Sequence, residues 1–469
     1  MKVAFSKLNI TPKEYINKPL AGYTRKDPCL GKLDDIYVHS VLIESNSVAS
    51  NKEFLLLLSL DLLKVPLSIT KYIRNKIIKK YPSLKFEQIL VHATHTHAAF
   101  DLTGEFYWPG GALNVMKGIM FGANRNDKYI VWFTNKILKV VEGLFNNLKS
   151  CRIAWKKEPF NPDIVINRRH PSRKTLPYLG VITFKSLEEN ELLGFIINYA
   201  CHPTTLSYKN NKLSADYPGR IIQKINELTN NKVKAIYFNG ASGDLNPITT
   251  CGTEYEQFEL DKTPIYDQLG TYHHTERIGY TIAEEALKLA NSISDNDYFS
   301  AIEFQIYTHE FWIPMKDHKY FSKQWFTNKL IYAIKKLFLL NIARYTMLNS
   351  NFPIFIIDKK KGKFRCNTVI QYIKVSVKSK SKKKELSLMT IPGELFEEIG
   401  DSLLKASLTG KDNIFIFQNA QDWIGYLFPL LEYVEEGGYE PVPSFSPLGG
   451  YFVKNEMLRL LTKISNEIK

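Results

Sequence analysis

The sequence is poor in several features that would assign a class at once. Its five cysteines, Cys29, Cys151, Cys201, Cys251 and Cys366, are odd in number, far apart and form no C-x-x-C pair. That argues against a disulfide framework or a cysteine-built zinc site, and leaves reduced, buried thiols as the expectation. No apolar run is long enough for a bilayer-crossing helix. The greasiest stretch, Phe54 to Leu63 (FLLLLSLDLL), is short and carries Asp61, so it reads as a buried strand. The opening MKVAFSKLNITPKEY holds no apolar segment of signal-peptide length, which points to a cytoplasmic protein. The G-x-x-x-x-G-K-[ST] phosphate loop is missing, so nothing supports nucleotide binding. Acidic residues are outnumbered, 47 Asp and Glu against 62 Lys and Arg, for a net charge of +15. Such an excess can attract nucleic acid, anionic membranes or acidic substrates. No nucleic-acid motif accompanies it, however, and no nucleic-acid partner is expected.

What is present is an ordinary globular composition, 44% hydrophobic and 23% charged over 469 residues, enough for a sizeable core. Short apolar strand patterns (Val38 to Glu44, Phe54 to Leu60, Phe86 to Ala93, Leu193 to Ala200, Val233 to Asn239) alternate with helical ones. The helices are predicted at Leu67 to Lys80, Lys128 to Leu148 and Gly219 to Leu228. This alternation predicts an α/β fold, a mixed β-sheet core with surrounding helices and functional groups on the loops after strands. No repeat or linker divides the chain, so a single domain over 1–469 is expected, with a basic, aromatic, insertion-like region at about 311–385. Within that region a helix is expected at Trp325 to Tyr345. The run Lys378 to Lys384 (KSKSKKK) reads as an exposed hairpin tip, a solvated basic face more simply than a membrane-docking one.

The chemistry-bearing segments follow strands. Val91 to His97 (VHATHTH) places three of the ten histidines together, and strand alternation would send His95 and His97 to one face. Neutral imidazole is a common zinc ligand. His202, in NYACHPTTLS, follows another apolar strand that Pro203 stops. The loop NGASGDLNP (Asn239 to Pro247) could turn backbone N–H groups, Gly243 among them, and the Asn246 amide towards a substrate. Glu394 follows a Pro-Gly turn before the helical pattern Leu395 to Leu404, where a carboxylate also suits the helix dipole. NAQDWIGY (Asn419 to Tyr426) and GGYEP (Gly437 to Pro441) close the set, their tyrosines reading singly as packing residues.

Taken in order, these segments resemble the neutral (non-lysosomal) ceramidase family. The resemblance also rests on PLAGYTRKDP (Pro19 to Pro28), SLDLL (Ser59 to Leu63), NRR (Asn167 to Arg169) and SADYPG (Ser214 to Gly219), and runs to about Tyr439. It implies a zinc-hydrolase domain with Zn²⁺ held by His95, His202, Glu394 and Tyr426. It further implies that His97, Arg168 and Tyr439 contact the scissile group. His97 would shuttle a proton to the leaving amine; Arg168 and Tyr439 would stabilise an oxyanion. The implied activity is hydrolysis of an N-acyl amide by a zinc-activated water, in a ceramide-like lipid, another N-acylated amphiphile or an amino sugar.

Two segments depart from the family. Asn246 stands where the family loop carries a serine, and Ala98-Ala99-Phe100 replaces its Ser-Gly-Pro after THTH. No C-terminal immunoglobulin-like domain is expected. Ester hydrolysis on a non-lipid substrate, or a lapsed lipid- or glycan-binding relative, remain the alternatives. The small N-acylated substrate is the expected partner, with peripheral contact to an anionic membrane the further one.

Overall fold

A computed structural model describes the chain except residues 24, 26, 46–52, 105, 107–126, 251–269, 316–329, 331–332, 335–350, 361–362, 380–381, 436–439, 442 and 469. The larger sheet has eight strands. Their order is Lys234–Asn239, Leu192–Tyr199, Tyr178–Ser186, Lys149–Pro159, Lys2–Asn9, Tyr37–Glu44, Phe54–Leu60 and Ile89–Ala93. Its middle is antiparallel, while the two strands at each end pair in parallel. Parallel neighbours need a long crossover, usually a helix. At one end Leu67–Lys80 supplies it, and at the other Asp216–Leu228. The sheet is mixed and helices flank it, as the sequence predicts.

Burial on both faces explains the apolar strand runs. All seven residues of Phe54–Leu60 are buried. Leu56, Leu58 and Leu60 pack with helices Leu67–Lys80 and Asp127–Asn146. Leu55 and Leu57 point the other way, onto a second sheet through Ile373, Leu388 and Phe415. A buried leucine contributes about 2 kcal/mol by apolar burial, so this strand is a major stabilising element.

The second sheet runs Ala301–Pro314, Lys363–Lys378, Lys383–Thr390 and Ile414–Phe417, with Ile356–Lys360 added beside Lys363–Lys378. Its last pairing is again parallel, bridged by helix Glu397–Lys405. The far face of this sheet, with Tyr372, Met389 and Ile416, packs on Ile399, Leu403, Val453 and Met457 of helices Glu397–Lys405 and Gly449–Ile468. The result is four layers: helices, sheet, sheet, helices.

Several boundaries shift from the sequence reading for local reasons. The strand expected from Phe86 starts at Ile89, because Phe86–Gln88 forms a 3-10 turn in which the Gln88 side chain accepts from the Lys85 amide at 2.8 Å. The helix expected from Gly219 begins at Asp216, so Pro218 lies in its first turn, where its missing N–H is harmless. The helix after Glu394 spans Glu397–Lys405.

The expected hairpin around Lys378 to Lys384 is present, with Lys378 opposite Lys383 and Ser379 N–H donating to the Lys382 carbonyl at 2.9 Å. The helix expected at 325–345 lies largely outside the described residues. The four described cysteines are free and buried. No helix among the described residues is long and apolar enough to cross a membrane.

Candidate metal centre

Each of the three parallel strand pairs of the two large sheets delivers a functional loop at its carboxyl end. The Ile89–Ala93 strand is followed by His95 and His97, and Leu192–Tyr199 by His202. Lys383–Thr390 is followed by Glu394. The strand ends before the histidine pair, so alternation does not bring the two rings together. That expectation is corrected: the strand histidine is His92, a core residue whose Nδ1 meets Ser59 Oγ at 2.9 Å and whose Nε2 accepts from the Asn239 amide at 3.3 Å.

His95 instead leaves the strand with φ +68°, a left-handed conformation uncommon outside glycine. Such backbone conformations cost about 1–3 kcal/mol and persist where surrounding structure holds them. Here the His95 N–H donates to Leu62 O at 2.9 Å and the ring Nδ1 sits 2.6 Å from Leu63 O.

The three rings of His95, His97 and His202 form a buried group whose nitrogens lie within 4.8 Å of one another. Glu394 joins it, with Oε2 at 3.2 Å from His95 Nε2 and 3.6 Å from His202 Nε2. A carbonyl only accepts, so the Nδ1 atoms of His95 (on Leu63 O) and His202 (on Ser242 O, 3.0 Å) must donate. In the neutral tautomer this leaves a lone pair on each Nε2. Neither His95 Nε2 nor Glu394 Oε2 makes a hydrogen bond. Acceptors converge in a buried space, an arrangement that is unfavourable alone and suited to a divalent cation.

The electrostatics agree. Burial, with His95 beside it, pushes His202 down to about 3, and the same causes hold His97 well below the usual histidine range. Both rings are neutral at pH 7, as metal ligation or proton acceptance requires. For Glu394, burial acts upward but is outweighed by His95, His202 and the Trp423 indole, and the carboxyl falls to about 2.

The rest of the sequence set divides. Tyr426 is adjacent: Glu394 and Tyr426 are partners in a short parallel ladder, and the Tyr426 ring stacks on His202 at 6.4 Å. Two glycines allow this ladder. A Cβ on Gly393 would lie 2.4 Å from Gly425 O, and Gly425 itself has φ +95°. Gly243 works the same way, since a Cβ there would lie 2.5 Å from Glu394 O, while its amide is bound to Leu395 O at 2.7 Å. Its N–H is thus committed to the protein rather than turned to a substrate.

Arg168 is buried with its guanidinium 5.1 Å from the Tyr426 ring centre, donating to Asn246 Oδ1 at 3.0 Å and Glu440 Oε1 at 3.3 Å. Asn246 therefore holds Arg168. Tyr439 lies outside the described residues.

Two functional residues escaped the sequence reading. Trp423 Nε1 donates to Glu394 Oε1 at 2.9 Å, leaving Oε2 to face the histidines. Gln418 ties the loop of His202 to the segment of Glu394, its Oε1 accepting from the Ser242 and Leu395 amides at 3.0 and 2.9 Å. Trp423 stands in the quoted NAQDWIGY segment, but a tryptophan reads there as packing. The Trp423→Phe variant should weaken metal binding about 10- to 100-fold with folding intact, as measured by competition with a chromophoric chelator.

The structure matches neutral ceramidase from Pseudomonas aeruginosa with a TM-score of 0.69 at 15% identity, covering 99% of this chain and 74% of that one. A ceramidase complexed with C2 matches with a TM-score of 0.71 at 15% identity, covering 99% and 75%. The fold is that of neutral ceramidase. No family model and no curated protein matches the sequence. At this identity the likeness speaks for the fold, and the chemistry rests on the side chains themselves.

Proposed function

We propose that this chain is a zinc-dependent amidohydrolase that cleaves the N-acyl bond of a ceramide-like lipid, another N-acylated amphiphile or an amino sugar. One observation carries the reading: the Nε2 lone pairs of His95 and His202 face Glu394 Oε2 at 3.2 and 3.6 Å in a buried space. Two imidazoles and one carboxylate form a borderline-soft, low-charge donor set that suits zinc, with Tyr426 beside them as the fourth candidate. When bound, zinc supplies Lewis acidity, acidifying water and polarising a carbonyl.

The chain's own residues would do the remaining work. His97 is the proton carrier. Its Nε2 lies 3.2 Å from His202 Nε2, its Nδ1 makes no hydrogen bond, and burial keeps the ring neutral and able to accept. A Cβ on Gly22 would lie 2.4 Å from His97 Cγ, so the Ala21-Gly22-Tyr23 segment fixes the ring's position. Arg168, steadied by Asn246 and Glu440, is assigned to the charge that develops on the attacked carbonyl oxygen, with Tyr439 as a second donor. The ceramidase fold supports an acyl amide as the bond cleaved.

The test is a panel of N-acylsphingosines, N-acyl amino sugars and matched esters, assayed with and without chelator. Amide hydrolysis that disappears on metal removal and returns with zinc is the expected result. Turnover that survives metal removal, or no turnover of any amide with zinc present, would sink the reading. Turnover of the esters alone would move it to a deacylase.

A further inference from the structure

A second cavity, distinct from the metal centre, opens at the carboxyl ends of the parallel strands Leu192–Tyr199 and Lys234–Asn239, against helix Glu397–Lys405. Its volume of about 370 Å³ is within the usual range of small-molecule sites. None of His95, His97, His202 or Glu394 lines it.

The lining has two parts. Its apolar part is built by Leu176, Tyr178, Ala241, Leu404 and Ile416, with Leu176 48% exposed, an apolar side chain left facing water. Its charged part holds five cations, Lys157, Arg173, Lys174, Lys405 and Lys411, against two carboxylates, Glu397 and Asp401. Glu397 is already engaged, accepting from Thr175 Oγ1 and from Asn167 Nδ2 at 3.3 Å. Arg173 and Lys174 make no ion pair among the described residues.

Lys157 is the deepest cation. Its Nζ donates to the Lys411 and Ile414 carbonyls, each at 3.0 Å, and lies 4.7 Å from the Tyr178 ring centre. Burial pushes its ammonium down to about 8, although Asp412 and Asp401 pull it upward.

We infer that this cavity binds a medium-chain amphiphilic anion, its chain on the Leu176–Tyr178–Leu404–Ile416 surface and its head among Lys157, Arg173 and Lys174. Apolar burial would supply most of the affinity and the cations the selectivity for a negative head. A neutral or cationic head of the same chain length would leave that cation excess uncompensated.

The cavity also adjoins the loops of the metal centre. Gly240 and Ala241 line the cavity just before Ser242, whose carbonyl orients His202, and Glu397 lines it just after the Glu394–Leu395 strand.

Two sources share this chemistry, a free fatty acid and the phosphate head of an anionic lipid. Titration calorimetry on the full-length protein, with decanoate and decyl phosphate as probes, distinguishes them. Saturable binding of at least one probe is expected, with decanol and decyltrimethylammonium binding at least tenfold more weakly. The Arg173→Glu/Lys174→Glu double variant, which alters exposed side chains only, should weaken the bound probe at least tenfold. The His95→Ala variant, which disables the metal centre, should bind it as the wild type does.

No saturable binding, equal binding of decanol, or binding unaffected by the charge reversal would overturn the inference. Binding lost in His95→Ala would assign the probe to the metal centre and overturn it equally. Because His95→Ala serves as the control, the inference stands or falls independently of the proposed hydrolysis.

Discussion

The His202→Ala variant is expected to lose its zinc, from one ion per chain to less than a tenth, and to hydrolyse amide substrate at least about 10³-fold more slowly. At about 1.4 kcal/mol per decade this loss corresponds to about 4 kcal/mol of transition-state stabilisation. The expectation rests on the ring's burial and on its Nδ1 donating to Ser242 O, which leaves Nε2 as a ligand atom. His97→Ala is the informative companion. All three imidazoles lie within ligand distance of one another, and only the roles differ. As a proton carrier, His97 can be removed with zinc retained while turnover falls about 10²- to 10⁴-fold. Elemental analysis of both variants decides the matter: zinc lost from His97→Ala would make that residue a ligand, and zinc kept by His202→Ala would remove the centre from the mechanism.

The Glu440→Ala variant is expected to destabilise the protein by about 3–5 kcal/mol, the range for breaking a buried ion pair by removing one partner. Glu440 is 2% exposed and serves two arginines, Arg168 at 3.3 Å and Arg169 at 3.4 Å. Deleting it removes the carboxylate both share, close to Tyr426 and His202. Urea unfolding measures the loss, and a midpoint within error of the wild type would show that other groups compensate the arginines. Arg169 retains Glu432 at 3.3 Å, so the larger part of the effect falls on Arg168. The Glu440→Gln variant keeps an acceptor and should lose less.

Much of this was legible in the chain. Helix Leu67–Lys80 has the predicted bounds, because its apolar spacing and the preceding Pro66 agree. Even so, its first amide is capped from afar, Leu67 N–H donating to Asp422 Oδ1 at 2.8 Å. The strand Phe54–Leu60 also has its predicted limits, since a seven-residue apolar run can only be buried on both faces. His95, His202 and Glu394 could be singled out because each follows an apolar strand, where parallel pairing gathers loops at one end of a sheet.

Other features were not legible, for reasons that lie outside any local window. His95 and His97 do not share a face by alternation; the strand has already ended, and a left-handed residue held by Leu62 and Leu63 carbonyls turns the ring inward. Glu394 looked like a helix-start carboxylate, yet it lies in a two-residue ladder with Tyr426 that two opposed glycines permit. Trp423 and Glu440 sit in legible segments, but their value comes from distant partners, Glu394 for one and Arg168 and Arg169 for the other.

The sequence by itself determined the α/β class, the apolar strands and the residue types able to hold a metal, because these follow from periodicity and side-chain chemistry. Only the tertiary structure decided which lone pairs meet, which cation is matched by which carboxylate, and that a cation-lined cavity lies behind the loop of His202. Those depend on distances between segments far apart in the chain, and only packing sets them.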